Sequence, residues 1–431
     1  MSRLDQLITE LCPNGVQVHV LNEIFEQFSG MTGVSNKWAE EGNCEFIDYM
    51  NAYKNLTIDV SVIYKATVKK QNQSILQKGD VLFTSASETP DECAIASEIV
   101  DEIKPGVFLD DHLFGLRLKD CYRTLFATGY LKYAFNASTF RAKIQQAVRG
   151  VTRFYISKND FMKLELAVPP LPVQEEIVRI LDSFTVLEAE LEAELEARKK
   201  QYEHYRDTLL NLGEPTGCRR LDRLIEELCP KGVPYKLISE IGTLMRGKRF
   251  VKADAVEDGI PCIHYGEIYT HYGIYTVETK SHVRPELGPK LRYASKNDVI
   301  IVGAGENDID IGIGVALLGE EEVAVHDACY ILKHDMNPKY ISYFLRTENY
   351  HKQIKKYVSS GKICAISSEG IGKALIPVPP VCIQEEVVRI LDHFNRLCND
   401  PSESLPAEIE ARRKQYEYYR DKLLTFKELE A

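Results

Sequence analysis

Residues 169–184, PPLPVQEEIVRILDSF, return at 379–394 as PPVCIQEEVVRILDHF, and the fold is read outward from this repeat. EARKKQYEHYRDTLL (196–210) returns as EARRKQYEYYRDKLL (410–424), and RLDQLITELCPNGV (3–16) as RLDRLIEELCPKGV (220–233). The offsets are 210, 214 and 217 residues, so two half-molecules of about 210 residues follow one another and make a covalent pseudo-dimer. The stretches between the repeats, 17–165 and 234–375, agree only in scattered landmarks. Two constant scaffolds therefore carry two variable heads.

From Val173 the apolar positions fall at Val173, Ile177, Ile180, Phe184, Leu187, Leu191, Leu195, Tyr202, Tyr205 and Leu209, close to a 3.5-residue spacing. That period predicts a coiled-coil seam. Pro169, Pro170 and Pro172 suit its start, and a helix of ~38 residues would span about 57 Å. The second copy places its seam at Ile383, Val387, Ile390, Phe394 and Leu397, then at Ile409, Tyr416, Tyr419 and Leu423, with Pro401 and Pro406 between. It is expected to form two helices in series, with Pro406 in a first turn. Between the matching Phe and EAR elements copy two is four residues longer than copy one, where the sequence is the tandem LEAELEAE (187–194). Such a stretch can gain or lose a turn while keeping its seam, so the two copies are expected to pack on each other as a spacer.

At 431 residues, 44% hydrophobic and 27% charged, the chain has the composition of a globular protein of two to four domains. Its apolar runs are shorter than a membrane span and its N-terminus lacks signal-peptide character, so a cytoplasmic location is expected. The 11 cysteines include no CxxC pair, which predicts reduced, mostly buried thiols and no metal site. A net charge of −11, taken alone, opposes a nucleic-acid partner. Residues 174–197 carry −7 of it, however, and 384–411 carry −5. The heads are near neutral, with local basic clusters.

Short β-branched runs punctuated by Gly and Asn predict mostly β heads, each closed by a helix, at 130–147 and 340–357. GAGENDIDIGIG (303–314) lacks the spacing of a phosphate loop and is read as a turn before a strand. NPKY (337–340) has Lys where an amino-methyltransferase motif has Pro, so it is read as a helix cap. His112 and His326 have no nucleophile motif beside them and are read as structural. The head loops nevertheless offer groups suited to phosphates and base edges: Lys37, Lys54, Lys69, Lys70, Ser85 and Ser87 in the first, and Arg246, Lys248, Arg249, Lys252, Tyr265, Arg284, Lys290, Arg292 and Asn307 in the second.

In this order and in duplicate, the QEE-containing helices, LPAEIEARRKQYEYYRDKLL (405–424) and KGDVLFTSASETPDE (78–92) resemble the specificity subunit of a type I restriction-modification system. The resemblance covers nearly the whole chain. It implies an α+β protein in which two mostly β target-recognition domains (1–168 and 213–378) are joined by two long helical regions (169–212 and 379–431) packed as an antiparallel coiled coil. Each domain would read one half of a bipartite site on double-stranded DNA, and the helices would set the spacer. Phe184, Leu187, Leu191, Leu195, Tyr202, Tyr205, Phe394, Tyr416 and Tyr419 would serve the helix pairing and the docking of partners. The chain would be non-catalytic and hold no cofactor. Two methylation subunits would bring S-adenosylmethionine for adenine-specific methylation, and two restriction subunits would bring ATP-dependent cleavage. A coiled-coil adaptor with two protein-binding heads is the alternative from another class.

Overall fold

A computed structural model describes residues 3–69, 73–359, 361, 363–399 and 405–429. Lys70 and Pro401 lie outside the described residues. The chain divides into two compact units, Met1–Leu191 with Ile409–Ala431, and Glu192–Glu408. The helix Leu171–Leu210 is unbroken over 40 residues and contributes to both, and the division falls inside the LEAELEAE tandem. The second copy is two helices, Val381–Asn399 and Leu405–Leu423, with Pro406 in the first turn of the latter as its ring requires. No helix among the described residues is long and apolar enough to cross a membrane.

Within each unit a head rests on an antiparallel helix pair. In the first, Phe184 stacks on Tyr419 at 5.5 Å between ring centroids and Glu188 pairs with Arg413 at 2.6 Å, so the partner number falls as the helix advances. In the second, Tyr205 stacks on Phe394 at 5.1 Å, and the Cys398 thiol faces the Arg198 carbonyl. Leu191 and Tyr202 are buried, while Leu187 and Leu195 are half-buried. Burial pushes the phenols of Tyr202 and Tyr416 up to about 12. The seam departs from its expected register at one point: Leu397 is 41% exposed and Cys398 is buried instead. The helix ends two residues later, and there the smaller thiol fits against the backbone of the opposite helix.

The identity of the QEE repeats has a local cause. Gln174 is fully buried; its Oε1 accepts from Ala127 N at 2.9 Å, and its Nε2 donates to the Pro169 and Leu125 carbonyls at 2.7 and 3.1 Å. Gln384 repeats this with Asn337 N at 2.9 Å and the Pro379 carbonyl at 2.8 Å. Two residues on, Glu176 is gripped by Arg179 and approached by Arg3, as Glu386 is by Arg389 and Arg220. Six residues further, Asp182 accepts from Lys132 and Tyr133, and Asp392 from Lys339 and Tyr343. Ile177 and Leu181, like Val387 and Leu391, fill the head cores. The repeated motif thus docks each head on its own helix through buried groups that must be paired.

Among the described residues each head contains two larger sheets and two two-stranded ones. In the first, Phe25–Ser29, Leu113–Leu118, Val81–Thr84 and Ala96–Glu98 form one antiparallel sheet in that order. Val34–Lys37, Tyr64–Val68, Cys44–Ile47 and Val107–Leu109 form the other, its last pair parallel. The second head keeps this plan with five strands per larger sheet, including Gly242–Arg246, Cys329–His334 and Val299–Val302 in one, and Ile260–Ile263 parallel to Val323–Val325 in the other. The β content expected from the Gly and Asn punctuation is therefore present. In 303–314 a two-residue strand, Ala304–Gly305, is followed by bends and turns that lead to the strand Gly314–Leu317, and Asn337 caps the helix Pro338–Phe344 by accepting from Lys339 N and Tyr340 N.

Candidate nucleic-acid interface

Three backbone segments meet at the same place in each head. The edge strand Phe25–Ser29 ends where Gly30 N donates to Leu113 O and Met31 N to Leu109 O; Gly242–Arg246 ends where Gly247 N donates to Cys329 O and Lys248 N to Val325 O. A Cβ on Gly30 would lie 1.8 Å from the Asp110 carbonyl oxygen, and one on Gly247 would lie 2.2 Å from that of His326. Only glycine permits this approach. It holds the preceding residue, Ser29 or Arg246, beside the loop 110–112 or 326–328.

The second segment is a short helix, Tyr49–Lys54 or Tyr265–Thr270, whose caps are Asp48 and His264. The third follows the central strand: Ala86–Ser87 pairs with Phe154–Tyr155, and Ala304–Gly305 pairs with Cys364–Ala365. In the first head an open cavity of about 460 Å³ lies between the short helix, residues 85–88 and His112; in the second, one of about 390 Å³ lies between Arg246, Gly303–Ala304, Asp327–Ala328 and Ala365.

The frames are alike, but their chemistry differs. In the first head Lys37 Nζ lies 2.9 Å from Asp110, 2.7 Å from Asp111 and 3.2 Å from His112 Nδ1. The three acidic and imidazole groups could by geometry hold a cation, but the lysine ammonium already bonds to them. Burial alone would raise the Asp111 carboxyl; the hydrogen bond and the charge of the Lys37 ammonium outweigh it and hold the group at about 2. Tyr49 stacks on Tyr53, whose hydroxyl donates to Glu92 at 2.8 Å, and Glu88 and Arg153 complete the cavity wall.

The second head replaces this network with aromatic rings. His264 lies 4.4 Å from both Tyr265 and His326, and Phe250 meets His326 edge-on at 4.9 Å. His326 Nδ1 accepts from Ala328 N at 3.1 Å and its Nε2 faces the Phe250 carbonyl at 3.1 Å, an arrangement that only the neutral ring with a proton on Nε2 satisfies. Burial lowers both histidine pKa values. His326 is thus a structural group, whereas His112 is an exposed one.

The sequence-derived contact candidates divide into those gathered at this frame and those elsewhere. Lys37, Ser85 and buried Ser87 lie at it in the first head, with Ser85 N donating to His112 O at 3.0 Å. Lys54 is exposed at the end of the short helix, and Lys69 is exposed on the strand edge beside Gly33. In the second head Arg246, Arg292 and Tyr265 are at the frame, with exposed Lys248 and Arg249 immediately after it. Asn307 is exposed in the turn beyond Gly305. Lys252, Arg284 and Lys290 lie on loops of the second sheet, where Arg284 is paired with Asp254 at 2.6 Å. Sequence reasoning omitted Ser29 with its Lys158 partner, Arg153, and the Tyr49–Tyr53 stack. The 217-residue offset that aligns Ser29 with Arg246 was the available signal.

A family model described as the type I restriction modification DNA specificity domain matches residues 13–197 and again 230–411. The chain is 31% identical over 294 residues to the specificity subunit of the type I restriction enzyme EcoR124I/EcoR124II of Escherichia coli, covering 64% of this chain and 66% of that protein. A protein of Haemophilus influenzae, provisionally named a type I restriction enzyme specificity subunit, is 30% identical over 289 residues, covering 64% and 68%. Among solved structures, a chain from work on complex assembly and conformational transition of the type I restriction-modification system superposes with a TM-score of 0.61 at 14% identity. That alignment covers 96% of this chain and 98% of the other.

Proposed function

Because the chain belongs to the type I restriction-modification DNA specificity family and carries that family's domain in each half, we propose that it is the non-catalytic sequence-reading subunit of such a complex. Its heads, 1–168 and 213–378, each read one half of a bipartite site on double-stranded DNA. One observation carries this reading: the two heads offer one backbone frame with different side chains. Ser29 stands opposite Arg246, Asp110 opposite His326, and Ser85, Ala86 and Ser87 opposite Gly303, Ala304 and Gly305. A shared frame with exchanged contacts suits two different half-sites. Each correct base pair adds roughly 1–3 kcal/mol of discrimination, so two heads reading a few pairs each give a selectivity that one lacks.

The partners in this proposal are two methylation subunits, which bind S-adenosylmethionine and methylate adenine, and two restriction subunits, which use ATP. This chain supplies neither cofactor site. The repeated outer faces of the helices, with exposed Glu175 and Glu385 at matching positions, offer two equivalent docking surfaces. The acidic helices favour weak binding to DNA by the chain alone and tight binding once partners add positive surface. The test replaces residues 17–165 with another head in cells that also make the methylation subunits, followed by methylome sequencing. One half of the methylated motif is expected to change while the other half and the spacer stay. A change in both halves overturns the two-reader assignment.

A further inference from the structure

We propose that Arg246 reads a guanine in the half-site of the second head; the inference rests on the sequence-reading function above and adds the base and the residue. Arg246 is the last residue of its edge strand, exposed, and fixed at both ends of its reach. On the main-chain side its carbonyl accepts from Arg292 Nη1, and Gly247 is pressed against the His326 carbonyl where no side chain fits. On the side-chain side Nε donates to the Asp327 carbonyl at 2.7 Å. That single bond orients the guanidinium plane and leaves its two terminal nitrogens, the pair that bonds guanine O6 and N7 together, at the mouth of the cavity.

The neighbours favour a base edge over a structural ion pair. Among the described residues no carboxylate lies within ion-pairing distance of Arg246, unlike Lys37 between two aspartates or Arg284 on Asp254. The cavity beside it has Gly303, Ala304, Ala328 and Ala365 in its wall, small groups that let a base edge approach, with Tyr330 and Tyr357 as its aromatic members. At the matching position the first head has Ser29, which accepts from Lys158, so the fork is particular to one head and its effect is confined to one half-site.

The experiment uses the full chain with its methylation subunits, with Arg246→Ala and Arg246→Lys compared by methylome sequencing. Both variants are expected to lose the requirement for one guanine in one half of the motif, with the other half and the spacer unchanged. Lysine keeps the charge but not the fork, so a phosphate contact would survive it. An unchanged motif in Arg246→Ala overturns the proposal, and so does a loss in that variant which Arg246→Lys restores with the motif intact. Absence of any bipartite motif with the unaltered chain would instead sink the sequence-reading function itself. Should both variants abolish methylation, binding to duplexes with 7-deazaguanine at each guanine in turn decides. The unaltered complex is expected to bind about tenfold more weakly at one guanine, with that penalty gone in Arg246→Lys; equal affinity for all duplexes overturns the assignment.

Discussion

Replacing Gln384 with Leu tests whether the repeated motif is identical because it docks heads on helices. Gln384 is 2% exposed and bonds one backbone N–H and one carbonyl. Leucine keeps the volume but leaves both partners unmatched, at ~1–3 kcal/mol each, so the unit containing residues 192–408 is expected to lose about 2–6 kcal/mol. Gln174 bonds three backbone groups, and Gln174→Leu should cost its own unit more, about 3–9 kcal/mol on the same basis. The chain has a single tryptophan, Trp38, which lies in the first unit and meets Tyr64 edge-on at 4.7 Å. Its fluorescence therefore follows one unit, while far-ultraviolet circular dichroism follows both. With urea m-values of about 2–3 kcal/mol/M, Gln174→Leu should move the tryptophan transition down by about 1 M or more, and Gln384→Leu should move only the remaining dichroism. A shift under about 0.5 kcal/mol for either variant would refute the hydrogen-bond argument. A tryptophan shift as large for Gln384→Leu as for Gln174→Leu would refute independent docking.

Three further outcomes are expected. Burial lowers the pKa of His264 and His326, so the folded state takes up their protons less readily than the unfolded chain; their contribution is complete above the unfolded value of about 6.5 and is lost as pH falls through the folded values. The dichroism transition of the second unit should thus move to lower urea between pH 7 and 5, and a variant with both histidines changed to Gln should show a shallower slope, the remainder coming from His334 and His351, whose pKa values burial also lowers. Lys37→Ala should raise the Asp111 carboxyl from about 2 toward its unfolded value of about 3.9, so the first unit should lose stability at pH 7, and the parent's fall in the tryptophan transition between about pH 4 and 2 should flatten in the variant. One more LEAE after Glu194 adds about 6 Å of helix and should lengthen the spacer of the methylated motif by one or two base pairs with both half-sites kept; an unchanged spacer would reduce the helix to a support.

The scaffold was legible because it is written twice. Gln174 and Gln384, Ile177 and Val387, and Asp182 and Asp392 sit at equal spacing, and a 3.5-residue period needs no distant partner to be seen. The seam departs from its period at Leu397, where the helix is about to end and backbone geometry outweighs hydrophobicity, and its Ile177 and Val387 fill the head cores. The head sites were less legible because their meaning depends on long-range neighbours. Lys37 has the look of a phosphate ligand until Asp110 and Asp111 arrive from 73 and 74 residues away. Ser29 and Arg246 align in the sequence, but the glycine contacts that make their position special are visible only in space.

The division of the chain into Met1–Leu191 with Ile409–Ala431 on one side and Glu192–Glu408 on the other also sets an order for synthesis. The contiguous unit can fold as soon as residue 408 has left the ribosome. The other must wait, with Leu424 missing from its core, with Val16 lacking the carbonyl of Lys427, and with Phe184 and Tyr133 lacking the rings of Tyr419 and Tyr416. A ribosome that stops before residue 409 would release one finished reader beside one unsealed one. The head made first is therefore the one completed second, and exposed apolar surface on an interrupted product would mark it for removal.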